Sequence, residues 1–186
     1  MFGSRTIQRG GATLKTATRL PALLVSYVYR EPFLRDQAKY RYRDWVLDSG
    51  AFSAYVSGAV IENRAFIEEA KRLLATDKTL TEVFALDVIG DYKTSLRNCE
   101  EAWEQGLPAI PTYHAGEPES HLRDIAKRFP KIALGGVVGS KNKLSWAKQC
   151  FARVYPKRIH GFGSEKAIMA LNRSASVSSS RAFTPA

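Results

Sequence analysis

Two aspartates and two histidines occupy equivalent places along this chain. Asp48 ends Trp45-Val46-Leu47-Asp48-Ser49-Gly50, and Asp87 ends Phe84-Ala85-Leu86-Asp87. His114 follows Tyr113 in Tyr113-His114-Ala115-Gly116, and His160 opens His160-Gly161-Phe162-Gly163. Each comes at the end of a short apolar run that reads as a buried strand, and a fifth run, 131–134, leads into Gly135-Gly136. Carboxylates accept from ring N–H and exocyclic amine groups, and glycines let backbone amides approach a flat ligand. Phe52, just behind Asp48, offers a stacking face. The set suits a planar heterocycle.

Each residue also has a plainer role. An Asp before Ser-Gly starts turns or caps helices, and a single histidine is commonly structural. Gly135-Gly136 would cradle a phosphate at a helix N-terminus as well as it would admit a flat ligand. What argues for a site is the repetition of polar residues at strand ends. Three histidines with no nearby thiolate make a poor zinc set, so no metal is expected. No lysine stands at a strand end, where a sugar-phosphate or aldolase-type barrel would show one.

The elements that would hold these residues follow from periodicity. Strands are expected at 23–29, 45–48, 83–86, 109–113, 131–134 and 158–160. Between them, Phe66, Ile67, Ala70, Leu73 and Leu74 follow helical spacing, as do Tyr92, Leu96, Cys99 and Trp103. Leu122, Ile125, Ala126 and Phe129 repeat the pattern after Glu117-Pro118, and Leu144, Ala147, Cys150, Phe151 and Val154 repeat it again. Gly106, Pro108 and Pro130 punctuate the helix ends. Alternating strands and helices predict an α/β protein with a parallel sheet, and the short strands favour a (β/α) TIM-type barrel. A full barrel takes about 250 residues. The chain has 186, so the expected barrel is compact or incomplete. Its domain plan is a loose basic arm at 1–20, one barrel-like domain at 21–180 and a tail at 181–186.

Charge is unevenly placed within the net of +10. Residues 1–43 carry nine Lys/Arg against two acids, 44–140 ten against fifteen, and 141–186 nine against one. An acidic middle between basic ends suits a phosphate backbone as partner, although a solvated basic surface would look the same. Cys99 and Cys150 fall in helical stretches and read as small core residues of a reduced, cytoplasmic protein. No apolar run is long enough for a membrane span or a secretory signal.

Taken in order, Asp48-Ser49-Gly50-Ala51-Phe52, the apolar run ending in Asp87 and Leu134-Gly135-Gly136-Val137-Val138-Gly139 resemble the tRNA-guanine transglycosylases. Tyr113-His114-Ala115-Gly116-Glu117 and His160-Gly161-Phe162-Gly163 look closer to the phage and bacterial DNA 7-deazaguanine transglycosylase branch. The resemblance covers residues 45 to about 180. It implies a TIM barrel that exchanges guanine in a nucleic acid, DNA before tRNA, for a 7-deazaguanine such as preQ0, preQ1 or queuine, with no cofactor. It further implies that Asp48 sits on the bound base and manages its proton, that Phe52 stacks on the base, and that Asp87 reads the Watson–Crick edge. His114 takes the place of a base-contacting glutamine, Gly135 and Gly136 offer backbone contacts, and His160 flanks the pocket. The zinc segment of the tRNA enzymes is absent, as in the smaller DNA branch.

One departure matters. The family's nucleophile is an aspartate in a Ser-Val-Asp-Ser-like segment, and here the stretch reads Ser176-Val177-Ser178-Ser179-Ser180. Ser178, without an adjacent base, is a weak nucleophile toward an anomeric carbon. The leading expectation is a guanine-exchanging glycosyltransferase acting on DNA. The alternative is a non-catalytic nucleobase- or nucleic-acid-binding relative, and a third is a barrel enzyme for a small phosphorylated metabolite. A partner subunit or oligomer is compatible with an open barrel.

Overall fold

The computed structural model describes residues 20–137 and 141–163. Residues 1–19 of the arm, the tail, Val138, Gly139 and Ser178 lie outside the described residues. The described chain is a mixed α/β structure of two parallel three-stranded sheets and six α-helices. The strands are β1 (Ala22–Ser26), β2 (Asp44–Asp48), β3 (Leu80–Val83), β4 (Thr112–His114), β5 (Lys131–Gly135) and β6 (Arg158–Gly161). The helices are α1 (Arg30–Asp36), α2 (Ala51–Ser57), α3 (Asn63–Thr76), α4 (Tyr92–Glu104), α5 (Glu119–Arg128) and α6 (Lys143–Val154).

One sheet has the order β1-β2-β3 and the other β4-β5-β6. A parallel bridge between Phe84 and Ile110 spans the gap, with Ile110 N donating to Val83 O and Ala85 N to Ile110 O. All six strands therefore follow one another in space as they do in sequence. The expected parallel α/β arrangement is present. A closed TIM barrel is not: among the described residues nothing pairs β6 with β1, and a run of irregular backbone separates the two sheets.

The side chains of β2 and β5 divide between two cores, as the period of two requires. Trp45, Leu47, Ile132, Leu134 and Ile159 join the helices in the larger core. The intervening Ala133 belongs to a smaller cluster with Phe84 and Ile110, against which Val46 and Phe162 pack. Asp48 and Gly135 continue this second parity, so both end their strands on the face away from the helices. Phe84 is the centre of that face, with the rings of His160 and Phe162 each 4.7 Å from its own.

The helices form where apolar spacing and caps agree. Phe66, Ile67, Ala70 and Leu73 bury one side of α3, and the Glu62 carboxylate caps it by accepting from Ala65 N at 2.7 Å. Asp91 caps α4 by accepting from Thr94 N and Thr94 Oγ1. Cys99 and Cys150 are both free and buried, as expected of core residues. Two helices had no periodic signal. α1 follows a 3-10 turn at Tyr27–Tyr29, where the first strand had been expected to continue, and α2 spans only seven residues between left-handed Gly50 and Gly58. The strand expected at 83–86 lies three residues earlier, so Phe84–Asp87 forms the exit from β3.

Removing the Phe84 ring should leave a void under the smaller core. Phe84→Ala is expected to cost about 3–5 kcal/mol in urea unfolding. A loss well under 1 kcal/mol would show that this face does not hold the two sheets together.

Candidate functional site

Asp48 is the last residue of β2, and Gly50 begins α2 immediately behind it. Gly50 has φ +78°, and an added Cβ would come within 2.8 Å of Ser26 Oγ on β1. Only glycine allows the chain to turn this sharply between strand and helix. The turn puts the Gly50 amide 3.2 Å from Asp48 Oδ2. It also brings Ser49 Oγ to 2.9 Å from Asp87 Oδ1, to which it donates. Two carboxylates from separate strand exits thus stand close together.

His114 ends β4 on the other side of Asp87, with Nε2 3.0 Å from Asp87 Oδ2. Its Nδ1 lies 3.2 Å from Glu117 Oε1, and its backbone N–H donates to Glu117 Oε2 at 3.0 Å. The turn between them passes through Gly116 at φ +99°, and the Tyr113 hydroxyl ties it down by donating to Glu117 O at 2.7 Å. Behind Glu117, the buried His121 of α5 sets Nε2 3.8 Å from Oε2. A chain of contacts therefore runs Ser49–Asp87–His114–Glu117.

The electrostatics follow from this packing. Burial and the negative charge of Asp87 raise the Asp48 carboxyl to about 6, more than the Ser49 and Gly50 amides lower it. Burial disfavours charge on His114, but hydrogen bonds and attraction to Asp87 and Glu117 outweigh it and hold the imidazolium up to about 9. Burial pushes His121 below its ordinary value.

These residues line one cleft of about 790 Å³. Asp48, Phe52, Asp87, His114, Gly135 and Gly136 all face it, so six of the seven expected site residues converge. Tyr92, Glu117 and Phe162 complete its walls. Phe52 stands on α2 at the edge of the cleft, 65% exposed. His160 is the exception. It does not line the cleft, and its ring packs one layer down between Phe84 and Phe162.

The glycine doublet has a structural task. A Cβ on Gly135 would meet His114 Cδ2 at 3.0 Å and Nε2 at 3.1 Å, so the imidazole fills the space that a side chain there would need. Gly136, at φ +72°, passes Ala115 N at 3.1 Å from an added Cβ. Sequence reasoning had given both glycines to the ligand. Neither helix nor strand periodicity marks Glu117, and the His-x-x-Glu spacing across Gly116 is the signal that pairs it with His114. Among the described residues, no group of three or more His, Cys, Asp or Glu side chains is placed to hold a metal ion. No described helix is long and apolar enough to cross a membrane. Comparison with protein-family models, curated proteins and solved structures returned no match.

The raised Asp48 acid has a stability consequence. Its folded value, about 6, exceeds its unfolded value near 3.8, so the folded state binds the extra proton between these limits. Stability falls as pH rises through that window, and the full penalty of the buried charge is present above pH 6. Asp48→Asn should stabilise the fold by on the order of 2 kcal/mol at pH 8 and by little below pH 4. Urea unfolding at both pH values checks this, and an equal effect at the two would contradict it.

Proposed function

We propose that this protein exchanges a guanine-type base in DNA, using the cleft between Asp48 and Gly136 to hold the base. The observation that carries the reading is the inequality among the cleft's acids. Asp87 is engaged by Ser49 and His114, and Glu117 by His114. Asp48 receives hydrogen bonds from backbone amides alone and is raised to about 6. Near neutral pH such an acid both gives and takes a proton, which is what base exchange demands.

The chemistry balances on that proton. When the bond from the anomeric carbon to guanine breaks, guanine leaves with the bonding pair and takes the proton of Asp48, and the anomeric carbon becomes an oxocarbenium ion faced by the Asp48 carboxylate until the nitrogen of the incoming base adds to it. The incoming 7-deazaguanine forms the new bond and returns a proton to Asp48. Phe52 supplies a face for the ring, and Asp87 is an acceptor for its N–H and amine groups. The target nucleotide must leave the base stack to reach a cleft this deep. The net charge of +10 supports a phosphate-backed substrate. The order of strands supports a relative of the barrel fold, and the (β/α) barrel remains part of the proposal. The Ser178 position favours the second reading, in which the same cleft binds a base without exchanging it.

Incubation with guanine-containing DNA and labelled guanine separates the two. Exchange predicts label in the DNA, and Asp48→Asn should slow incorporation by roughly 10²-fold or more. DNA affinity should fall at least about tenfold between 50 and 200 mM salt. Guanine binding without incorporation would establish the binding-only reading. Absence of both binding and incorporation would overturn the proposal.

A further inference from the structure

Glu117 stands where nothing about guanine recognition requires it, yet it makes two contacts with one neighbour. Its Oε1 faces the His114 ring at 3.2 Å and its Oε2 accepts from the His114 backbone at 3.0 Å. Its side chain is 14% exposed and that of His114 21%, so water competes weakly for either contact. The opposite ring nitrogen of His114 is 3.0 Å from Asp87. Both ring nitrogens are therefore occupied by carboxylates. A neutral imidazole has one N–H and could donate to only one of them, whereas an imidazolium donates to both.

We propose that Glu117 is a positioning residue of the cleft: it grips His114 by ring and backbone so that the His114 Nε2–H stays on Asp87. His114 then acts through Asp87 instead of touching the base. Asp87 is held facing Asp48 by two donors, Ser49 on one oxygen and His114 on the other. The arrangement separates the roles of the two strand-end acids, one fixed as an acceptor and the other free to exchange a proton.

The groups around His114 are accounted for on each packed element. Asp48 ends β2, Asp87 follows β3, Glu117 lies in the turn after β4, and His121 on α5 stands 3.8 Å behind Glu117. Gly135 of β5 lies against the ring and carries no charge. On β6, His160 packs against Phe84 and Phe162.

The functional consequence rests on the cleft being a base site, but the pairing does not, and one experiment reads both. The imidazole of His114 is titrated by NMR in the full chain and in Glu117→Gln, and guanine binding is measured between pH 7 and 8.5. The wild-type ring should titrate near 9 with both nitrogens protonated below that. In Glu117→Gln the titration should fall by about one pH unit or more. Guanine affinity should then drop about fourfold or more across the range in the variant and stay nearly level in the wild type. An unchanged His114 titration in the variant overturns the proposal. If Glu117→Gln does not fold, a wild-type ring titrating near 6.5 overturns it, and one near 9 supports it. If guanine binds neither protein at any pH, the functional reading fails while the titration still judges the pair.

Discussion

The structure depends on keeping two carboxylates close together in a partly buried cleft. Asp48 and Asp87 arrive from adjacent strand exits, and burial together with the charge of Asp87 makes charge on Asp48 costly. Three neighbours resolve the conflict. Ser49 and His114 donate to Asp87, Glu117 steadies His114 from behind, and Asp48 is left with amides and a raised proton affinity. The cleft is thus an ordered series of charges, acid, acid, imidazolium, acid, instead of a general polar patch.

The backbone makes that series possible. Gly50 turns the chain from β2 into α2 where a side chain would strike β1, and Gly135 yields its side-chain space to the imidazole. Below them, Phe84, His160 and Phe162 pack as a small aromatic layer that supports the strand ends from the face opposite the helices. Stability in this fold comes mainly from the larger core between sheets and helices. The smaller one fixes the floor of the cleft, and a base held in the cleft would rest above it.

Much of this was legible in the sequence, for identifiable reasons. Periodicity located α3, α4, α5 and α6 because each buries a single apolar side, and the ends of the apolar runs marked Asp48 and His114 at the ends of β2 and β4, whereas Asp87 follows β3 at the end of an apolar run that leaves the strand. α1 and α2 were missed because a short helix set by glycine geometry needs no amphipathic stripe. The expectation of a compact or incomplete barrel rested on the alternation of strands and helices, and the parallel α/β arrangement is the part of it that the structure shows. Closure depends on edge pairing between distant strands, which no local pattern encodes. His160 carried the same strand-end signal as the others, but the aromatic rings of Phe84 and Phe162 enclose it. Glu117 was undervalued because its partner lies three residues away through a left-handed glycine, a contact that neither helix nor strand periodicity describes.

The central claim is that Asp48 is the proton-carrying acid of a guanine site. The most direct measurement is a carboxyl NMR titration of Asp48 in the free protein and with saturating guanine. The account predicts a titration near 6 in the free protein, displaced by about one pH unit or more once guanine occupies the cleft. A free-protein value near 4, or a titration that bound guanine leaves unmoved, would contradict it.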